Sequence, residues 1–165
     1  MPDDPGALLW RAANDWQRAA HAALSPLKLT YAQGLLLTAL ADRTLANGAT
    51  IQVELARLVR ADAMMTSQIL RILERRRLVA RATVANDARA RHVRLTAEGE
   101  SVAARARAVL GEAIDAFFAP LGPQRGAFAA ALGQLIGVRV RLRVPSATAA
   151  TGHDRASRGG NAESR

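Results

Sequence analysis

The chain of 165 residues contains no cysteine, which excludes disulfide bonds, zinc ribbons, iron–sulfur clusters and thiol-based redox switches. Aromatic residues make up only 4% of it. No uncharged apolar run reaches the roughly 18 residues that suggest a membrane-spanning helix. The first ten residues, MPDDPGALLW, lack the basic segment that opens a signal peptide, so we expect a cytoplasmic protein without a membrane partner.

Signs of catalysis are also missing. The glycines are scattered rather than grouped into a phosphate loop, and neither an HExxH motif nor any other metal-ligand spacing is present. The three histidines, His21, His92 and His153, fall on different segments. We therefore expect no catalytic site, no metal and no cofactor.

Positive charge is abundant and unevenly placed. The net charge is +9. Residues 57–94 carry ten arginines against three acids, a net of +7, and residues 139–165 carry six arginines against two acids, a net of +4. Residues 1–56 and 95–138 each have a net charge of −1. A polyanionic partner is the natural interpretation, although an arginine-rich chain can also carry such charge on a merely solvated face.

Apolar periodicity predicts a mainly α-helical fold with a small β-hairpin. Thr30, Asp62 and Thr96 have the side chains of helix N-caps. On the second helix Leu35, Leu36, Ala39 and Leu40 are expected to face inward, and on the fifth Val102, Ala106, Val109 and Ala113. The expected helices cover residues 6–24, 31–45, 52–59, 63–76, 97–118 and 124–142, and the expected strands 50–51, 78–84 and 92–95. We expect one domain over residues 1–142 and a disordered basic tail over 145–165.

The fourth predicted helix has two distinct faces. Thr66, Ile69, Leu70 and Leu73 recur at core spacing. The opposite face is polar and basic, which suits entry into a DNA major groove, although any surface helix can present a solvated polar face. The residues expected to face DNA are Met64, Ser67, Gln68, Arg71 and Arg75.

The predicted hairpin has a basic tip, with the turn chemistry in Ala85-Asn86-Asp87. Arg89 and Arg91 can enter a minor groove or contact phosphates, and Asp87 can orient Arg89. An ordinary hairpin with solubilising charge is the alternative. Two short helices followed by a basic hairpin predict a winged helix-turn-helix.

These segments resemble the MarR family of winged-helix transcriptional regulators over about residues 5–142. The similarity lies in LTYAQ (29–33), QVELARLV (52–59), DAMMTSQILRILERRRLVAR (62–81), Asp87-Ala88-Arg89 and LTAEG (95–99). The resemblance implies a DNA-binding lobe at about 30–99 and a homodimer joined through helices at about 6–24 and 97–142. It also implies double-stranded, palindromic DNA and, in many members, a small-molecule effector.

Carried over by position, Met64, Ser67, Gln68 and Arg71 match the family's recognition helix, and Arg89 matches the wing arginine. Two positions depart from the family pattern. Arg77 stands where glycine is usual after the fourth helix, and Ile51 stands where a capping side chain is usual before the third. Each departure should cost about 1 kcal/mol, through a left-handed backbone and a lost cap respectively.

The effector is less clearly indicated. Trp16, His21 and Tyr31 are the candidate pocket residues for a hydrophobic or phenolic effector, although the interpretation we favour is a partly exposed interface position for His21 and core or dimer-interface positions for Trp16 and Tyr31. Together these features favour a homodimeric regulator, expected to be a repressor that occupies its operator. A winged-helix adaptor that binds protein rather than DNA is the alternative.

Overall fold

A computed structural model describes residues 4–47, 50–84 and 87–138. The mainly helical fold with a small sheet that the sequence predicts is confirmed. Its elements in chain order are α1 (Pro5–Leu24), a 3₁₀ turn (Ser25–Leu27), α2 (Tyr31–Asn47), β1 (Thr50–Ile51), α3 (Gln52–Leu58), α4 (Ala63–Arg75), β2 (Val79–Val84), β3 (Asp87–Leu95), α5 (Ala97–Phe118), a second 3₁₀ segment (Ala119–Gln124) and α6 (Arg125–Leu135).

Side chains begin the helices where the sequence predicts them. Thr30 and Gln33 form a reciprocal capping box at α2, with Gln33 N to Thr30 Oγ1 at 3.3 Å and Thr30 N to Gln33 Oε1 at 3.1 Å. Thr96 caps α5 by accepting from Gly99 N at 3.0 Å. At α3, Ile51 makes no capping hydrogen bond, as expected.

The sheet is antiparallel, in the order β1-β3-β2. Thr50 pairs with Val93, so the two-residue β1 ties the start of α3 to the hairpin. The pairing of β2 with β3 runs from Val79–Leu95 to Thr83–Arg91, beyond which the register shifts. The turn predicted at Ala85-Asn86 lies outside the described residues, as does the tail over 145–165.

One apolar core joins α1, α2, α3, α4, α5 and the sheet. On α2 the predicted inward set needs one correction, because Leu37 is fully buried whereas Leu35 is 37% exposed. The stripe on α5 is also shifted from the predicted one. Its buried members are Gly99, Ala103, Ala106 and Leu110.

The described residues before Pro123 form one compact unit, and Pro123 begins a second. The second unit contains α6, which ends at Leu135 rather than at 142 as predicted. Gly137 has a left-handed φ of 66°, and Val138 N donates to Gly133 O at 2.8 Å. This left-handed cap satisfies the last carbonyls of α6 and stops it.

Candidate nucleic-acid interface

Helix α4 is fixed at both of its ends. Asp62 Oδ1 accepts from the backbone N–H groups of Met64 and Met65 at 2.8 and 3.0 Å. At the other end the Arg76 guanidinium donates to the carbonyls of Lys28 and Leu27 at 2.7 and 3.1 Å. Arg76 therefore fastens α4 to the turn between α1 and α2, and its role is structural.

The buried side of α4 matches the prediction from its periodicity. Thr66, Ile69, Leu70 and Leu73 are all buried. Because these four side chains pack into the core, the rotation of α4 about its own axis is set, and so is the face that points outward.

The outward face carries the five predicted residues of α4. Met64 is 71% exposed, Gln68, Arg71 and Arg75 are exposed, and Ser67 is half-buried. Met64, Ser67 and Gln68 lie in its first turns and the two arginines follow. Such a face offers hydrogen-bonding groups of the kind that can pair with the edges of bases in a major groove.

Strands β2 and β3 form the hairpin that we call the wing. The alternation of side chains along its strands determines which residues share a face. Arg81 pairs with Val93 and Thr83 with Arg91, so Arg81 and Arg91 lie on the same face of the hairpin. Val93 on that face is fully buried, which shows that the face packs toward the helices. The side chains of residues 83, 84 and 87–90 lie outside the described part, so the role of Arg89 stays a prediction.

Arg81 is held by Glu74 of α4. Its Nε donates to Glu74 Oε2 at 2.8 Å, and a terminal nitrogen contacts the same oxygen. This hydrogen-bonded pair lowers the pKa of Glu74 against the opposing effect of burial, and the charges of Arg81 and Arg91 lower it further. Glu74 is therefore ionised at neutral pH, and it joins α4 to the hairpin.

A small basic concavity opens between helices and wing, with a volume of about 200 Å³. It brings together three residues predicted to contact DNA with three that sequence reasoning did not assign there. Its lining residues are Gln52, Val53, Ser67, Arg71, Arg81 and Arg91, and we call it the arginine pocket. The sequence could have revealed Arg81 as a lining residue, because side chains alternate along paired strands and the hairpin register puts Arg81 on the same face as Arg91. It carried no comparable signal for Gln52.

The three candidate effector residues do not share one site. Trp16 and Tyr31 pack edge to face with ring centroids 5.7 Å apart, and Trp16 also contacts Phe117 and Phe118. His21 is exposed and lines an open groove along α1 of about 610 Å³, which also includes Trp10 but not Trp16.

The described residues contain neither a candidate metal cluster nor a candidate membrane span. Over 4–47, 50–84 and 87–138, no three histidine or acidic side chains cluster as they would around a metal ion. No helix in these ranges combines the length and apolar character needed to cross a membrane.

The helix-turn-helix, its exposed basic face and the adjoining hairpin define a winged helix-turn-helix protein. No family model matches the sequence. A curated relative, the uncharacterised HTH-type transcriptional regulator YdcH of Bacillus subtilis, is 34% identical over 116 residues, which cover 70% of this chain and 78% of YdcH.

Solved structures resemble this fold. MepR of S. aureus in its DNA complex is similar with a TM-score of 0.73 and 21% identity, over 81% of this chain and 96% of MepR. A mutant of MarR from E. coli, complexed with operator DNA, is similar with a TM-score of 0.68 and 23% identity, over 79% of this chain and 91% of MarR. The chain belongs to the MarR family of winged helix-turn-helix transcriptional regulators.

Proposed function

We propose that the protein is a sequence-specific DNA-binding regulator that acts as a homodimeric repressor on a pseudo-palindromic operator. The exposed face of α4 carries this proposal. On this face Gln68 can form two hydrogen bonds with adenine, and Arg71 can form two with guanine. The buried face of the same helix fixes the direction in which both side chains point.

In the proposed complex α4 enters the major groove and the hairpin contacts the flanking minor groove or backbone. Ser67 and Gln68 face base edges, Met64 contacts apolar groups there, and Arg71 reaches guanine or phosphate. Arg75, Arg89 and Arg91 bind phosphates. A two-fold dimer predicts half-sites about 10 bp apart, which is one turn of DNA.

Exposed apolar side chains support the dimer. On α1, Leu8, Leu9 and Trp10 are 46%, 49% and 70% exposed, and in the second unit Leu135 is 75% exposed. Exposed apolar side chains such as these three on α1 are typical of a surface that another chain covers. Burial of these groups between two copies would remove them from water.

We further propose a cytoplasmic location and release from DNA by a hydrophobic or phenolic effector. The aromatic cluster of Trp16 and Tyr31 and the groove at His21 are two separate candidates for its site. A thermal-shift screen of phenolic acids tests this part, because a ligand that binds the folded state raises the melting temperature. If no compound both raises the melting temperature and releases DNA, effector release by this class is excluded.

The test of DNA binding is a titration of the protein with the DNA upstream of its own gene and with scrambled DNA of equal length. Gln68→Ala and Arg71→Ala should each weaken binding to the bound site by about 1–3 kcal/mol and relax preference at one position per half-site. Arg105→Ala, which removes an exposed arginine from α5, is the matched control and should leave that preference intact.

Equal affinity for upstream and scrambled DNA would contradict sequence-specific binding. Absence of binding to either DNA would favour the second candidate, a winged-helix adaptor that contacts protein. Equal losses on both DNAs for Gln68→Ala would show that Gln68 does not read bases.

A further inference from the structure

The arginine pocket has an excess of positive charge at close quarters. Arg71 comes from α4, Arg81 from β2 and Arg91 from β3, and all three line a concavity of about 200 Å³. The ion pair that the structure gives there joins Arg81 to Glu74. Three guanidinium groups around one small volume repel each other, and a single carboxylate offsets only part of that charge.

Arg81 is fixed in place although it lies beside two other cations. Its side chain is only 13% exposed, and Glu74 Oε2 holds its Nε and one terminal nitrogen. This pairing does not use the remaining terminal nitrogen. A guanidinium held in this way loses little further freedom when it binds an anion.

Gln52 adds a neutral polar group to the same wall. Its Oε1 is buried, and within the described residues it has no hydrogen-bond partner. The amide NH₂ of the same side chain is the donor that Gln52 can offer to an acceptor in the pocket, which Ser67 also lines.

We propose that the arginine pocket binds one phosphate group, with Gln52 and Arg81 as binding residues in addition to Ser67, Arg71 and Arg91. A phosphate suits guanidinium forks, a hydroxyl and an amide donor. The volume is below the roughly 300–1,000 Å³ of pockets for larger organic ligands.

A DNA backbone and free phosphate share this chemistry. The pocket adjoins the exposed face of α4, so a backbone phosphodiester next to the base-reading residues is the source we assign. That assignment rests on the proposed function.

The first experiment replaces each phosphate of the bound upstream duplex, one at a time, by a neutral methylphosphonate. With the unaltered protein, one position per half-site should lose about tenfold in affinity, since a hydrogen bond to a charged group is removed. With Gln52→Ala or Arg81→Lys that loss should shrink several-fold at the same position. Arg105→Gln should preserve the full loss, because Arg105 on α5 does not line the pocket.

The second experiment adds inorganic phosphate to the DNA-free protein at constant ionic strength and follows the side-chain amide resonance of Gln52. A saturable shift that Arg81→Lys weakens and Arg105→Gln leaves unchanged is expected. Urea unfolding of each variant confirms that it is folded, and Arg81→Lys retains the positive charge opposite Glu74.

A phosphate position whose methylphosphonate loss shrinks in the pocket variants, which we call a coupled position, supports the pocket. It also identifies the DNA backbone as the source of the bound phosphate. A saturable phosphate shift without a coupled position supports the pocket with soluble phosphate as the source. If neither is seen, the proposal is overturned, and DNA binding by the same preparation would leave the proposed function standing. If the protein binds no DNA, the proposed function fails and the phosphate titration alone decides about the pocket.

Discussion

Two arginines close the helices of the helix-turn-helix with a left-handed backbone. Arg60 has a φ of 50° and Arg77 a φ of 59°, and a side chain in this region costs about 1 kcal/mol that glycine would not. At Arg77 the reason for the conformation is clear. Its N–H donates to Glu74 O at 2.8 Å and Leu78 N donates to Leu73 O at 2.9 Å, which ends α4 and begins β2.

Arg77→Gly should therefore raise the free energy of unfolding by about 1 kcal/mol, measured by urea denaturation, because glycine adopts this φ without strain. Arg77→Ala retains the Cβ and removes the charge, so it should bring no such gain. An equal rise in the free energy of unfolding in both variants would show that Arg77→Gly stabilises the protein by removing charge repulsion rather than backbone strain. A fall in DNA affinity in both variants would show that the guanidinium contacts DNA.

The roles of some residues could be predicted from the sequence, whereas the roles of others became clear only from the fold. The buried face of α4 was assigned correctly, because helical periodicity is a local property. The three neighbours Arg75, Arg76 and Arg77 look equivalent in the sequence. Only the fold shows that Arg75 is exposed on α4, that Arg76 bonds to carbonyls nearly fifty residues away and that Arg77, which is also exposed, turns the chain.

At the scale of elements, the sequence predicted where helices start more accurately than where they end or which of their residues are buried. Caps at Thr30, Asp62 and Thr96 were predicted because a cap joins residues only a few positions apart. The end of α6 was missed because apolar residues continue past Leu135, and the left-handed Gly137 overrides that pattern. The stripe on α5 was displaced because alanines and valines on both sides gave nearly equal periodicity.

Gly99 in the first turn of α5 shows why small residues are required there. A Cβ on Gly99 would lie 1.8 Å from the carbonyl oxygen of Leu78, and that carbonyl also accepts from Thr96 N at 3.1 Å. Helix α5 and the residue that precedes β2 thus meet backbone to backbone. Gly99→Ala should lower the free energy of unfolding by about 3 kcal/mol or more, since backbone atoms must shift.

Gly111 supplies the matched comparison within the same helix. Nothing lies within 4 Å of a Cβ built on it. Gly111→Ala should therefore raise the free energy of unfolding by about 0.5–1 kcal/mol, because alanine favours the helix. Urea denaturation of both variants tests the argument, and similar effects of the two substitutions would refute close approach as the reason for Gly99.

The Glu74–Arg81 pair between α4 and β2 should make stability depend on pH. Because the pKa of Glu74 is lowered in the folded state from its ordinary 4.5, the unfolded chain takes up this proton first as pH falls. The stabilisation is complete above that value and is lost as pH falls through the lowered pKa. Glu74→Gln should destabilise the protein by about 1 kcal/mol at neutral pH, a modest value because the Glu74 side chain is 37% exposed.

The measurement compares unfolding free energies of the unaltered protein and Glu74→Gln from neutral pH down to about pH 3. Their difference should shrink as the medium becomes more acidic than the ordinary value of 4.5. A difference that stays constant over this range would show that Glu74 acts through packing rather than through its charge.

At the scale of the whole molecule, positive charge is concentrated in one segment of the chain, whereas exposed apolar side chains occur in several. The net charge of +7 over residues 57–94 coincides with α4 and the wing. Exposed large apolar side chains occur on α1 and in the second unit, and also within or next to the basic segment, at Val53, Leu58, Met64 and Met65. The sequence predicted the first distribution directly, since charge can be counted, whereas the exposure of Trp10 and Leu135 depends on the fold.

The exposed apolar side chains of α1 lie outside the basic segment, which leads to the prediction that α1 takes part in pairing two copies while the basic face remains available for DNA. Light scattering at micromolar concentration should give twice the chain mass of 17.5 kDa. Trp10→Glu should shift the protein toward the monomer, because a buried carboxylate without a partner costs several kcal/mol. Leu58→Glu is the matched control, since Leu58 is 51% exposed on α3, away from α1, and should leave the mass unchanged. A monomeric unaltered protein would contradict the dimer, and a Trp10→Glu protein that stays fully dimeric would remove α1 from the interface.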